Sequence, residues 1–311
     1  MSNKIISPNK PKILLILGAT ASGKTALAVQ LANKYKGEIV SADSRQVYRG
    51  MDIGTGKDLA EYQAGGKKIA YHLIDVASPK TKFNLAKYQK SAFKAINDIL
   101  RRGKLPIVVG GSGLYLQALV DNYRLTPGQP DLKKRNAWEK LTAEKLLEKI
   151  TKLKPDFAAR LNNSDKNNRR RLARYLEIIM VGGEMAPKKQ VSPYDFLLLG
   201  LKAPDNILRA RIVQRLLVRL EKEGLVAEVK RLNWEGVSWQ RLKSFGLEYK
   251  FISAHLLGEV SYQEMVDKLS IASWHFAKRQ KTWFKRWEKQ GTKINWIKDQ
   301  KQAEKNIKKW P

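Results

Sequence analysis

The segment Gly18-Ala19-Thr20-Ala21-Ser22-Gly23-Lys24-Thr25 constrains the fold of this chain more than any other part of the sequence. It matches the pattern GxxxxGK[ST] and follows an apolar run at 12–17 that is too short for a typical helix. Helical spacing of apolar residues continues from 25 to 34. A buried strand, a glycine-rich loop and a helix in this order are typical of a site where loop amides bind phosphate oxygens.

The residue types in this loop suit a phosphate ligand. Glycines let the backbone wrap around the anion, Lys24 supplies a positive charge, and the Thr25 hydroxyl can hold Mg²⁺ between phosphate oxygens. P-loop nucleotide hydrolases add a carboxylate at the end of a second strand. The run at 106–110 has no such acid after it, and Asp75 is the only comparable candidate. This pattern favours a diphosphate that leaves as a unit over a γ-phosphoryl group that is transferred.

Short apolar runs alternate with helical patterns along the rest of the chain. Further runs lie at 38–42, 69–75, 106–110 and 195–200, and helical patterns lie between them, as at 85–100. This alternation predicts an α/β fold with a mostly parallel sheet that is covered on both faces.

Segments rich in Pro and Gly at 126–130 and 181–193 interrupt this pattern. Between them, two helical faces are apolar: Leu146, Leu147, Ile150 and Leu153, then Leu172, Tyr175, Leu176 and Ile179. We therefore expect residues 1–121 to form the first part of the core, 122–190 a small helical insertion, and 191–311 the completion of the core with basic C-terminal helices.

The final part of the chain is predicted to be helical. One or two helices are expected over 205–232, with Asp205 as a plausible N-cap. A longer helix is expected from about 262 to 287, with Phe276, Trp283 and Trp287 on its apolar stripe. We expect Trp283 and Trp287 to pack in the core. The Lys-rich tail from 290 is weakly patterned, and we expect it to be frayed.

Positive charge is in large excess. The chain has 60 Lys and Arg against 29 Asp and Glu, a formal net charge of +31, which favours a polyanionic partner. There is no cysteine, so a thiolate zinc site and a cysteine nucleophile are excluded. No apolar run suits a membrane span or an export signal, so we expect a cytoplasmic protein with no membrane association.

A further polar segment, 41–46, follows the second predicted strand and contains Asp43. Loops at the carboxyl ends of parallel strands bind ligands in open α/β sheets, so this segment is expected beside the phosphate loop. Asp43 could accept a proton there, or it could cap the turn.

Six motifs, taken together and in this order, resemble the tRNA dimethylallyltransferase (tRNA isopentenyltransferase) family: GATASGKT, SADSRQVYRGMDIGTGK, HLID, GGSGLY, the RIxxR of Arg211 to Arg215, and AKRQKTWF. The resemblance implies a P-loop kinase-like three-layer core with a helical insertion. It implies transfer of a dimethylallyl group from dimethylallyl diphosphate to N6 of adenosine 37 in tRNA, with Mg²⁺ assistance. We expect the enzyme to act as a monomer.

The resemblance also implies roles for individual residues. Asp43 would be the general base on N6, and Arg211 or Arg215 would assist the leaving group together with Lys24. The diphosphate would be bound by the loop residues Gly18, Thr20, Ala21, Ser22, Gly23, Lys24 and Thr25. The tRNA nucleotide would be contacted by Asp43, Ser44, Arg45, Gln46 and Ser112.

Two basic helical segments are expected to contact RNA. Arg170, Arg171 and Arg174 lie in a segment that resembles the family's contact with the anticodon loop. Lys278 and Lys281 lie opposite the apolar stripe of the last long helix. A solvated helix face is the alternative interpretation for the arginine segment.

Other functions remain open at this stage. A P-loop small-molecule or nucleotide kinase would use ATP at the same loop. An RNA-binding module would bind RNA without forming a product, and a related prenyltransferase would act on free adenine nucleotides.

Overall fold

The computed structural model describes residues 10–125, 134, 137, 138, 140–182 and 188–310. The chain divides into two compact units, Met1–Val120 with Ser192–Pro311, and Asp121–Val191. The predicted boundary segment 126–130 lies outside the described residues, as do 183–187 of the second boundary segment. Within the described part of the chain, no helix has both the length and the apolar character needed to cross a membrane.

A six-stranded parallel sheet forms the centre of the larger unit. Its strands are β1 (Lys12–Leu17), β2 (Gly37–Ser41), β5 (Tyr71–His72), β6 (Leu105–Gly110), β7 (Asp195–Leu201) and β8 (Asn295–Ile297). Two short strands, β3 (Gln63–Ala64) and β4 (Lys67–Lys68), form a separate antiparallel pair. The spatial order in the sheet is β5-β2-β6-β1-β7-β8, so β1 lies between β6 and β7.

Nine helices are described in the larger unit, with the helices of the insertion numbered between them. They are α1 (Lys24–Lys34), α2 (Leu85–Arg101), α3 (Gly113–Val120), α8 (Asp205–Glu221), α9 (Leu225–Trp234), α10 (Trp239–Lys243), α11 (Leu247–Leu256), α12 (Tyr262–Lys289) and α13 (Gln300–Lys308). A single 3₁₀ turn covers Leu59–Glu61.

Both faces of the sheet are covered by helices. Ile13, Leu15 and Leu17 of β1 pack with apolar residues of α2, α3 and the end of α12. Leu14 and Ile16 point to the other face and pack with α1 and α13. This alternation follows from the two-residue period of a strand, which is why a strand buried on both faces is a continuous apolar run. The predicted three-layer α/β core is therefore confirmed.

The tail of the chain differs from the expectation. The prediction of a frayed segment after 290 is wrong, because β8 pairs with β7 and α13 buries Ala303 against the sheet. An edge strand of three residues leaves almost no periodic signal in the sequence. The N-cap of α8 is Pro204 instead of Asp205, which is the first helical residue.

The smaller unit is helical. Its described helices are α4 (Ala143–Leu153), α5 (Pro155–Ala159), α6 (Asn163–Lys166) and α7 (Arg169–Met180). The side chains of Thr142, Asn162 and Asn168 cap three of them by accepting a backbone N–H. Leu146 and Leu172 are fully buried in its own small core.

Glu38 is a buried acid near the amino end of β2. The phosphate loop follows the carboxyl end of β1, so the two lie at opposite ends of the parallel strands. Its carboxylate accepts hydrogen bonds from Arg102 (2.7 Å), Lys104 (2.8 Å) and His72 (2.7 Å). Burial alone would raise the pKa of Glu38, but these hydrogen bonds outweigh burial and lower the pKa from 4.5 to about 2.

We expect Glu38→Gln to lower the free energy of unfolding at pH 7 by about 1–3 kcal/mol. Because the pKa is depressed in the folded state, the carboxylate stabilises the fold above pH 4.5 and loses this effect as the pH falls towards 2. The difference from wild type should therefore shrink below pH 4.5. Urea titrations at several pH values measure this difference in the free energy of unfolding, with Glu221→Gln at an exposed position as control. A difference that stays constant with pH would show that the charge of Glu38 does not stabilise the fold.

Candidate active site

The phosphate loop connects β1 to α1. Gly23 precedes the first helical residue with φ of +89°, a backbone conformation that L side chains rarely adopt. The turn is closed by a hydrogen bond from the Ser22 N–H to the Ala19 carbonyl (3.3 Å). The first N–H groups of a helix have no partner within the helix, so this turn has the geometry to bind an anion.

Lys24 lies at the start of α1, and its Nζ is 3.4 Å from the Ala19 carbonyl oxygen. Desolvation lowers the pKa of Lys24 to about 8, with Asp43 raising it and Arg215 lowering it further. The acid after β2 and this arginine of α8 line the same cavity as Lys24. An anion in the loop would stabilise the charged form of Lys24.

Asp43 follows the end of β2 and faces the same cavity as Lys24. Its Oδ1 accepts hydrogen bonds from the N–H groups of Arg45 (2.8 Å) and Gln46 (3.4 Å), so it caps the turn. Its Oδ2 accepts no hydrogen bond from the residues that the structure describes. The two roles considered for Asp43 are therefore compatible, since one oxygen shapes the loop and the other is available to a ligand.

The loops after β2 and β6 are joined to each other. The Ser44 N–H donates to the Ser112 hydroxyl (3.3 Å). The Gln46 amide accepts a hydrogen bond from the Ser41 hydroxyl (2.8 Å) and donates to the Gly56 carbonyl (2.9 Å). These contacts fix the segment 41–46 beside the phosphate loop, as the strand order predicts.

The two arginines of the RIxxR motif have different positions. Arg215 lines the cavity and forms an ion pair with Asp58. Arg211 is exposed and is not among the residues that line the cavity. Desolvation and the nearby Arg219 charge lower the pKa of Arg215 to about 10.

One cavity of about 560 Å³ contains these groups. Its lining includes the predicted residues Thr20, Ala21, Lys24, Thr25, Asp43, Ser44, Arg45, Gln46, Ser112 and Arg215. Gly18, Ser22 and Gly23 shape the loop without lining the cavity. Gly18 lies against Ser22, with room for no side chain between them.

Comparison with known proteins gives a consistent result. A sequence profile described as "IPPT: IPP transferase" matches residues 46–287. The chain belongs to this family. It is 46% identical to tRNA dimethylallyltransferase 1 of Syntrophus aciditrophicus over 92% of this chain and 93% of the relative.

Two solved structures of the family resemble the larger part of this chain. The tRNA isopentenylpyrophosphate transferase of Bacillus halodurans is 35% identical, with a TM-score of 0.68 over 96% of this chain and 95% of that chain. A eukaryotic dimethylallyltransferase acting on tRNA is 27% identical, with a TM-score of 0.76 over 96% of this chain and 77% of that chain. The isopentenyltransferase resemblance drawn from the motifs is confirmed.

In this family member, helix α12 contributes a wall of the cavity that the sequence analysis missed. Its lining residues are Ser273, Phe276, Arg279, Gln280 and Trp283. Trp287 is fully buried, as expected, whereas Phe276 on the same stripe is 40% exposed. The helical spacing of the wall is present in the sequence, but a stripe that contains aromatic residues is typical of core packing as well.

Gln280 joins this wall of the cavity to two loops by hydrogen bonds. It is buried, its Oε1 accepts the Thr20 N–H (2.8 Å), and its Nε2 donates to the Gly111 carbonyl (2.9 Å). This side chain therefore fixes α12 to the loops after β1 and β6. A buried amide with both ends paired is a positioning group.

Glu248 is a second carboxylate in the cavity. It lies near the start of α11, and the sequence analysis did not single it out. Desolvation raises its pKa, although its own backbone N–H and Arg219 act in the opposite direction. The fold, not a local motif, brings this residue to the phosphate loop.

Asp75 does not line the cavity. It forms an ion pair with Lys57, a fully buried lysine that also pairs with Asp52 (2.6 Å) and donates to the Tyr48 carbonyl (2.8 Å). Among the residues described, no group of three His, Cys, Asp or Glu side chains is arranged to hold a metal ion.

The predicted RNA-contacting lysines lie outside the cavity lining. Lys281 forms an ion pair with Asp205, and Lys278 lies over the Trp274 ring at 5.6 Å from its centroid. In the smaller unit, Arg171 pairs with Asp165 (2.7 Å) and Arg174 with Glu177 (2.9 Å).

We expect the chain to bind inorganic pyrophosphate with an affinity that depends on Lys24. Lys24→Met should weaken binding about tenfold or more at pH 7, because a charge-assisted contact is lost. Bound anion raises the pKa of Lys24 from about 8, so the wild-type advantage should fall as the pH rises above 8. Calorimetric titration of both proteins from pH 7 to 9.5 gives the ratio of their dissociation constants. Because both proteins bind the same ligand, the ionisation of pyrophosphate cancels in this ratio. A ratio of one at every pH would remove Lys24 from the anion site.

Proposed function

We propose that this protein transfers a dimethylallyl group from dimethylallyl diphosphate to N6 of adenosine 37 in tRNA and releases diphosphate. One observation carries the proposal: in a chain of the IPP transferase family, the phosphate loop and Asp43 line the same cavity. A phosphate cradle and a carboxylate in one cavity suit a reaction that releases diphosphate while removing a proton from the nucleophile.

The leaving group would bind at the phosphate loop. Amide N–H groups of the loop, Lys24 and Arg215 would donate to the diphosphate oxygens. As the bond between the allylic carbon and the bridging oxygen breaks, its electron pair moves to that oxygen. The positive groups stabilise this developing charge more strongly inside a cavity than in water.

The nucleophile would be the exocyclic amine of adenine. Its lone pair is delocalised into the ring, so it attacks carbon poorly without help. As the new bond between N6 and the allylic carbon forms, the Oδ2 of Asp43 would take the N6 proton. This assignment is supported by the position of Asp43, whose Oδ1 is held by the Arg45 N–H (2.8 Å).

A magnesium ion fits this site through Thr25. Its hydroxyl belongs to the loop and lines the cavity next to Lys24. Mg²⁺ commonly binds substrate phosphates with only one or two protein ligands. When bound, the ion would add positive charge beside the diphosphate oxygens.

The basic surfaces would bind the RNA. The net charge of +31 exceeds what a small diphosphate needs. We assign Arg170, Arg171, Arg174, Lys278 and Lys281 to tRNA binding, with Ser44, Arg45, Gln46 and Ser112 near the reacting nucleotide. We further propose that the enzyme acts as a monomer in the cytoplasm, where it would meet tRNA.

Mass spectrometry of nucleosides tests the proposal directly. Unmodified tRNA is incubated with the protein, Mg²⁺ and dimethylallyl diphosphate, and we expect N6-dimethylallyladenosine from the anticodon loop. Matched reactions contain free AMP in place of tRNA, or ATP in place of dimethylallyl diphosphate. Prenylated AMP alone, or phosphoryl transfer from ATP without prenylation, would replace this proposal with one of the alternatives.

Asp43→Asn should reduce turnover by about 10²–10⁴. The amide oxygen can still accept the N–H of Arg45, so the loop should keep its shape and pyrophosphate affinity should stay within about twofold of wild type. Asp43→Ala, which removes the cap as well, is the comparison variant. Wild-type turnover in Asp43→Asn would exclude Asp43 as the base.

Replacing Arg170 and Arg174 together by Ala should weaken tRNA binding. The slope of log affinity against log salt should fall by about 2 in magnitude, because two phosphate contacts are lost. The exposed pair Lys145 and Lys149 of α4, replaced by Ala, controls for a general loss of charge. Equal slopes for the two double variants would assign the arginines to a solvated helix face.

A further inference from the structure

Arg219 is a buried arginine that the proposed mechanism does not use. It lies one turn after Arg215 on α8, is only 8% exposed, and lines the same cavity. Its Nη2 is 3.4 Å from Oδ1 of Asp58, and Arg215 pairs with Oδ2 of the same carboxylate. The Nε of Arg219 is buried and has no hydrogen-bond partner among the described residues. The hydrogen-bonding capacity of this guanidinium is therefore only partly used.

The backbone around Gly56 is shaped to admit these guanidinium groups. Gly56 has φ of +63°, and a side chain at this position would collide with Nη2 of Arg219 and press on Nη2 of Arg215. The Gly56 carbonyl accepts a hydrogen bond from Gln46, which fixes this close approach next to the segment that contains Asp43. The two arginines are thus held at the cavity from more than one side.

The cations in this part of the cavity are only partly paired. Lys24, Arg215 and Arg219 line the cavity together with the carboxylates of Asp43 and Glu248, but the described ion pairs of these cations use only the carboxylate of Asp58. Desolvation lowers the pKa of Arg219, which shows that its charge is poorly solvated. Buried cations without full pairing are costly, so a polyanionic ligand in this cavity would gain free energy by pairing with them.

We propose that Arg219 is a second guanidinium that binds the leaving diphosphate, and that Asp58 is the counterion which the diphosphate displaces. This inference rests on the function proposed above. When the allylic C–O bond breaks and its electron pair stays on the diphosphate, N–H groups of Arg219 donate to the diphosphate oxygens instead of to Asp58. After release of diphosphate, Asp58 pairs with both arginines again.

A purely structural ion pair would need only one guanidinium for the carboxylate of Asp58. One guanidinium satisfies one carboxylate in a bidentate pair, yet here two guanidiniums share Asp58. A diphosphate offers several oxygens and more than one negative charge, which matches two guanidiniums and a lysine. The pairing with Asp58 also keeps both arginines inside the cavity before the ligand arrives.

The test is calorimetric binding of inorganic pyrophosphate to the full chain. We expect Arg219→Met to weaken binding about tenfold or more and Asp58→Asn to strengthen it several-fold, because the competing carboxylate is neutralised. Arg209→Met, an exposed position on the same helix, should match wild type although it removes the same charge. Arg219→Met should also raise the KM for dimethylallyl diphosphate without altering tRNA affinity.

If Arg219→Met binds pyrophosphate with wild-type affinity, Arg219 does not bind the diphosphate and the proposal is wrong. If Asp58→Asn binds pyrophosphate more weakly than wild type, diphosphate does not displace Asp58. Thermal unfolding is measured for each variant. If Arg219→Met does not fold, Asp58→Asn and Arg219→Lys decide instead, and we expect Arg219→Lys to lose about threefold or more in affinity with the charge retained. Failure of the proposed function is distinguishable, since the wild type would then bind pyrophosphate but form no prenylated nucleoside.

Discussion

Parallel pairing of three neighbouring strands determines where the phosphate loop and Asp43 lie. The registers place Leu17 beside Gly110 and Ser41 beside Val109, so β1, β6 and β2 end at nearly the same level. The phosphate loop, the loop with Ser112 and the loop with Asp43 therefore leave the sheet side by side. Since parallel strands present their carboxyl ends at one edge, an anion site and an acid can be adjacent although they are distant in sequence.

The second determinant of the site is a group of three cations in one cavity, of which the two arginines share the carboxylate of Asp58. Lys24 comes from α1 and Arg215 and Arg219 from α8, two helices that are far apart in the sequence. Desolvation lowers the pKa of each of them, which is the expected effect of moving a cation away from water. The same groups are stabilised by a bound anion, so the free energy stored in this arrangement favours diphosphate binding.

Helix α12 connects the site to the basic surface of the larger unit. Gln280 on one side of the helix bonds the backbone of both Thr20 and Gly111, while Lys278 and Lys281 on other faces lie outside the cavity lining. The helix thus joins the proposed RNA-binding surface to the phosphate loop through one buried side chain. Its cavity wall was missed because polar and aromatic residues at helical spacing do not reveal which face meets a ligand.

The sequence by itself determined the phosphate loop, the parallel core, the presence of Asp43 beside that loop and the helical character of the insertion. These features depend on short-range patterns: residue types in a loop, a two-residue or 3.6-residue period, and glycine where φ is positive. Only the tertiary structure decided that Arg215 and not Arg211 faces the cavity, that Glu248 and Gln280 join it, and that Asp75 pairs with Lys57. Those outcomes depend on the rotation of each helix against the sheet and on contacts between residues far apart in sequence, which leave no local signal.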